Sequence, residues 1–144
     1  MRRIAPYTVW IGQDGDGRDF ARLYDAGVRA VVQLAIEEPA IQPPRDLIYV
    51  RVPLSDGAGN PSDSLALAVR TIAHLLALRI STLICCGAGM SRSPCIAAAA
   101  LSLAFPLTPD EALERVEDAG PCDVAPGLWN QTRELLAGGN RSAT

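Results

Sequence analysis

The sequence predicts a single α/β domain built on a central, mainly parallel sheet of four to five strands flanked by helices. Three observations predict it. Short apolar runs rich in β-branched residues, at 28–35, 47–52 and 82–85, alternate with longer stretches of helical periodicity, the order that a parallel sheet requires. Residues 83–94 pass from a buried strand through a tight loop of small residues into a helix. The length, 144 residues, suits one core that buries about two-thirds of the unfolded surface.

Taken in order, Thr8-Val-Trp-Ile11 reads as a short strand ended by Gly12. Asp14-x-Asp16 has the start of a calcium loop. Arg18 stands at a ligand position, however, and Asp19 stands where the sharp turn needs glycine, so a turn and a helix N-cap are expected. A short helix over 20–26 closes at Gly27, and a buried strand follows over 28–35. Residues 37–45 hold three prolines and form a surface loop. The next strand spans 47–52, with Pro53 at its exit, and leads into a flexible loop over 54–60 with two glycines.

Asn60 followed by Pro61 signals a helix start, with Asp63 in the first turn. Leu65, Val69, Ile72 and Leu76 form the buried stripe of that helix, and His74 falls opposite Leu65, facing solvent. The strand over 82–85 delivers the small-residue loop, and an alanine-rich helix runs over 92–103. Thr108-Pro-Asp-Glu111 is a capping box for a helix that ends at Gly120-Pro121. A last helix opens at Pro126 and carries Leu128, Trp129, Leu135 and Leu136. The domain is expected over 1–137, with 138–144 a flexible tail.

The chemistry concentrates in Cys86-Gly-Ala-Gly-Met-Ser-Arg92-Ser93. A loop of this kind turns successive backbone N–H groups toward one point, an anion nest. The helix behind it adds about half a positive charge at the same point. The Arg92 guanidinium supplies two parallel donors that match a phosphate. In that field the Cys86 thiol is expected to ionise, under a bound phosphate and in line for attack on phosphorus. Gly87, Ala88, Gly89, Met90 and Ser91 are expected to serve through their N–H groups, and Gly89 through its tolerance of unusual backbone angles.

These residues resemble the signature of the cysteine-dependent protein tyrosine phosphatases, His-Cys-x-x-Gly-x-x-Arg-Ser/Thr, in the dual-specificity branch. Only the first position departs, where Cys85 replaces histidine. Trp10-Ile-Gly12, Gly27-Val28 and Leu34-Ala-x-Glu37 are similar to the opening third of the same branch. The resemblance implies that fold and a hydrolysis through a cysteinyl-phosphate. It implies that Asp56, thirty residues before Cys86 in the loop after a strand, is the general acid, with Asp63 as competitor. It implies that the Ser93 hydroxyl bonds the thiolate. The implied substrates are phosphotyrosine or phosphoserine/threonine in proteins. Lipid phosphatases of the superfamily often carry lysines in this loop, where residues 87–91 here are uncharged. A phosphoprotein-binding pseudophosphatase and a phosphatase of non-protein phosphoesters are the alternatives. A redox or sulfur-transfer enzyme would need the Cys85-Cys86 pair, whose disulfide would be strained.

Composition narrows the rest. The net charge of −3 gives no basic footprint for nucleic acid or an anionic membrane, and 5% aromatic content argues against a base-stacking platform. One histidine is too few for most zinc sites, so no cofactor or metal is expected. The N-terminus lacks a signal-like apolar core, and the apolar run over 95–105 is too short to span a bilayer. A cytoplasmic location with four reduced cysteines is expected.

Overall fold

Burial decides which strands lie in the middle of the sheet. Strands β3 (Ala30–Ala35) and β5 (Thr82–Cys86) are buried at every position, whereas β4 (Ile48–Leu54) is half exposed. The computed structural model, which describes residues 1–142, places them accordingly. With β1 (Arg2–Arg3) and β2 (Val9–Gln13), they form one five-stranded sheet in the order β1-β2-β5-β3-β4. Only the β1–β2 pair is antiparallel. Strand β4 is an edge, which explains why it continues through Pro53 to Leu54 and does not stop at Val52. A proline's missing N–H costs nothing on the unpaired side of an edge strand.

Between the strands come a 3-10 turn (Asp14–Arg18), α1 (Phe20–Asp25) and α2 (Ser62–Ala77). After β5 come α3 (Arg92–Ala104), α4 (Pro109–Asp118) and α5 (Pro126–Ser142). Asp19 caps α1 by accepting from the Arg22 N–H, and Gly27 closes it at φ +77°. Thr108 caps α4 by accepting from the Glu111 N–H. The expected tail over 138–144 begins inside α5, whose backbone is helical to Ser142; Ala143 and Thr144 lie outside the described residues.

The period of two along β5 splits the core. Ile84 and Cys86 face a large cluster with α2, α3, α4 and α5, while Leu83 and Cys85 face a smaller one with Leu23, Val28 and Ile41. The alanines of α3 are all buried from Ala97 to Ala100, so that helix lies close on the sheet at the centre of the large cluster. Burying a side chain such as Ile84 or Leu101 stabilises the fold by about 1.5–3 kcal/mol. No described helix is long and apolar enough to cross a membrane.

The four parallel strands end together. Gln13 of β2 is level with Cys86 of β5, and Ala35 of β3 is level with Leu54 of β4. The loops carrying Cys86, Glu37 and Asp56 therefore emerge on one edge. Strand β5 has neighbours on both sides that precede it in sequence, which makes its carboxyl end the crevice where such sheets bind ligands.

Candidate active site

The loop from Gly87 to Ser91 is wrapped so that its carbonyls point into the protein. Gly87 O accepts from Asp14 N (3.4 Å), Met90 O from Asp123 N (2.7 Å) and Ser91 O from Cys95 N (3.0 Å). Gly89 O accepts from the Arg2 guanidinium at 3.4 Å. The N–H groups of Ala88, Gly89, Met90 and Ser91 donate to no acceptor among the described residues. Carbonyls turned away from the loop's centre and unclaimed N–H groups are what an anion nest requires. Gly89 makes the wrap possible. Its φ is +73°, and a Cβ there would meet Gly12 C at 2.6 Å and Gly12 O at 2.7 Å, backbone that cannot give way.

Cys86 lies at the base of this loop, with its sulfur 3.3 Å from the Ser93 N–H at the start of α3. The helix thus presents an N–H donor and its positive end to the thiol. The Ser93 hydroxyl, expected to bond the sulfur, is buried and has no partner among the described residues; the contact to the sulfur is made by the Ser93 backbone N–H.

Arg92 is 6% exposed, and its donors can be counted. Nη1 donates to Glu37 Oε2 (2.7 Å) and to Leu54 O (2.9 Å), and Nη2 donates to Glu37 Oε1. A guanidinium has five N–H groups, so Nε–H and one Nη2–H remain, and these share one edge of the plane. That edge is a two-pronged donor available to an anion in the cleft. Hydrogen bonding to Arg92 holds the Glu37 carboxyl down at about 2, against the opposing effect of burial. Glu37 therefore stays ionised, and the fork stays aimed, at any pH near neutral. Gly87 leaves room for the pair, since a Cβ there would come within 3.3 Å of Arg92 Nη2.

Asp56 sits across a cleft of about 170 Å³ whose walls include Cys86, Ala88, Met90, Ser91, Arg92 and Asp123. Its position is fixed twice. The Ser91 hydroxyl donates to Asp56 Oδ1 at 2.6 Å, and Ser91 Oγ accepts from the Ala125 N–H at 2.9 Å. Asn60 ties the loop from below, accepting from Ser55 N (2.7 Å) and donating to Ser55 O (2.9 Å) and Gly57 O (3.2 Å). Asn60 does not cap α2, as its sequence position suggests, because both ends of its amide hold the Asp56 loop; Pro61 stands at the cap. The loop expected to be flexible is thereby braced. Ser91, expected to act only through its backbone, also contributes its side chain. Ser91→Ala is expected to lower kcat about three- to tenfold on alkyl phosphates and less on aryl phosphates, as one positioning hydrogen bond is lost. Parallel steady-state assays on both substrate types check it; equal losses on the two would assign Ser91 to the loop and not to the acid.

Residues 9–104 match the family model described as Tc-R-P: Polymorphic toxin system, DSP-PTPase phosphatase. The chain belongs to this DSP-PTPase family. No curated protein sequence matches at a significant level. Human DUSP28 superposes with a TM-score of 0.85 at 24% identity over 99% of each chain. A mouse putative dual specificity phosphatase complexed with zinc tungstate gives 0.85 at 24%, over 99% of this chain and 89% of that one. PTPMT1 gives 0.77 at 22% over 99% and 98%, and it is also known in complex with PI(5)P. At these identities the likeness is one of fold.

Within this DSP-PTPase domain the structure brings Cys86, Gly87, Ala88, Gly89, Met90, Ser91, Arg92, Ser93 and Asp56 around one cleft end of the sheet. Asp63, the competing acid, does not line the cleft; its carboxylate accepts from the Ser64 N–H in the first turn of α2. His74 is exposed on α2, as expected. Asp14 is bound by Arg18 and Gln33, and no group of residues suited to a metal occurs among the described residues. Cys85 is fully buried on the face opposite Cys86. Burial first, then the Asp14 carboxylate, pushes its thiol far up, and the pleat turns the two sulfurs to opposite faces of the sheet. Three contributors escape sequence reading: Glu37, Arg2 and Asp123. Glu37 alone carried a signal, its place in the Leu34-Ala-x-Glu37 resemblance.

Proposed function

We propose that the protein is an active phosphatase of phosphate monoesters, acting on phosphotyrosine and/or phosphoserine/threonine in proteins through a cysteinyl-phosphate. The observation that supports this most is the Arg92 donor count: three N–H groups are spent on Glu37 and Leu54, and the two left form one edge beside Cys86 and the unclaimed loop N–H groups. A phosphate dianion seated there has each donor aimed at its non-bridging oxygens, which preorganises stabilisation of the transferring phosphoryl group. The Cys86 sulfur attacks phosphorus as the bond to the leaving oxygen breaks, and that oxygen takes its proton from Asp56. Water then attacks the phosphorus and gives a proton to Asp56. The S–P bond breaks and its electron pair returns to sulfur, steadied by the Ser93 N–H and, in this proposal, by the otherwise unpartnered Ser93 hydroxyl.

Four unpaired cysteines fit the cytoplasmic setting that belongs to the proposal. No step draws on a cofactor or metal. The purified protein should release phosphate from p-nitrophenyl phosphate and from a panel of phosphopeptides. Tungstate binding without any turnover would instead make it a phosphate-binding pseudophosphatase.

A further inference from the structure

A second cavity, about 340 Å³, adjoins the catalytic cleft. Its walls include Leu113, Glu117, Asp123, Val124, Pro126 and Trp129. Asp123 lines both spaces, so the cavity begins where the cleft ends. The wall between them is anchored to the catalytic loop itself, through Asp123 N to Met90 O and Ala125 N to Ser91 Oγ. The cavity's chemistry is one-sided. It offers apolar surface, an indole, the Cys122 thiol, the Asn130 amide and two carboxylates, and no basic residue is among those that line it. Neither Glu117 nor Asp123 has a salt-bridge partner among the described residues. The adjacent cation, Arg2, is turned to Gly89 O, Pro121 O and the Cys122 sulfur.

We propose that this groove is a substrate subsite for an arginine side chain flanking the phosphorylated residue of a protein. The assignment rests on the phosphatase reading above and narrows its substrate class. An arginine stem is apolar and packs on Leu113, Val124 and Pro126, its guanidinium stacks on an indole, and its charge meets Glu117 and Asp123. An extended chain advances about 3.3–3.6 Å per residue, so a neighbour within a few residues of the phosphate reaches the groove. The same carboxylates repel further phosphates beside the cleft, which disfavours a polyanionic lipid head group.

The test compares kcat/KM for matched phosphopeptides carrying Arg, Ala or Glu at each of the three positions on either side of the phosphorylated residue. Arginine at the productive position should exceed alanine by about tenfold, carried in KM and shrinking with added salt, and glutamate should fall below alanine. In the Glu117→Gln/Asp123→Asn double variant the Arg-to-Ala ratio should collapse toward one, and in Glu117→Lys the preference should turn toward the Glu peptide. Equal kcat/KM for Arg and Ala peptides at all positions, or a ratio untouched by the double variant, would overturn the subsite alone. Faster turnover of a phosphoinositide in vesicles than of the Arg peptide would overturn the subsite and the protein-substrate reading together. Absence of all turnover, p-nitrophenyl phosphate included, would overturn the phosphatase reading beneath it.

Discussion

Cys86→Ser is expected to abolish turnover while leaving oxyanion binding in place. The alcohol is far less ionised than the thiol and a much weaker nucleophile, so loss of at least about a thousandfold in kcat is expected. Binding should persist because the cradle is independent of the sulfur. The Arg92 edge is aimed by Glu37 and Leu54 O, and the loop carbonyls are tied to Asp14, Arg2, Asp123 and Cys95. None of these bonds involves Cys86, whose sulfur accepts one hydrogen bond among the described residues, from the Ser93 N–H. The hydroxyl is smaller than the thiol, so the buried site accommodates it without overpacking. Turnover by p-nitrophenyl phosphate assay and tungstate affinity by calorimetry check both halves. Turnover within about tenfold of the parent would remove Cys86 as the nucleophile, and loss of tungstate binding would show that the cradle depends on the sulfur.

The loop was legible because its chemistry is local. Cys86, Arg92 and Ser93 are joined by one strand end, one turn and one helix start, so spacing along the chain is enough to bring them together. The buried strands were legible for a similar reason: apart from Gln33 in β3 and Thr82 in β5 they are apolar, and both strands are buried at every position, as central parallel strands are. What escaped is non-local. Glu37 meets Arg92 across 55 residues and Arg2 meets Gly89 across 87, and no periodicity reports such pairs. Asn60 was misplaced because Asn before Pro is a sound helix-start signal, yet its amide finds better partners in Ser55 and Gly57. Pro53 seemed to end a strand because edge and central positions look alike until the strand order is known. Cys85 and Cys86 seemed a possible redox pair because adjacency in sequence says nothing about direction. The pleat sends one sulfur to each face, and the Cys85 sulfur is packed against Gly17, where a Cβ would come within 2.9 Å of it.

Asp56→Asn is expected to cost about 10²–10⁴-fold in kcat on alkyl phosphates, with a much smaller loss on p-nitrophenyl phosphate. The difference follows from the leaving oxygen. An alkoxide must be protonated as it departs, whereas p-nitrophenolate leaves stably without a proton. Two carboxylates line the cleft, so the assignment has a rival in Asp123. The structure separates them by how each is held. Asp56 Oδ1 is fixed by the Ser91 hydroxyl at 2.6 Å, which leaves Oδ2 to carry a proton in a set direction. Asp123 is held only through its backbone N–H to Met90 O, and its carboxylate has no bonded partner among the described residues. A general acid must present its proton at hydrogen-bond reach of the leaving oxygen, and an unheld carboxylate spends little time there. Asp123→Asn should therefore leave the ratio of alkyl to aryl rates near that of the parent, while Asp56→Asn lowers it by about tenfold or more. A series of leaving groups of graded basicity reads the same point as a slope: steep for Asp56→Asn, shallow for the parent and for Asp123→Asn. A steep slope in Asp123→Asn with a shallow one in Asp56→Asn would move the acid to Asp123 and leave Ser91 as a brace of the loop.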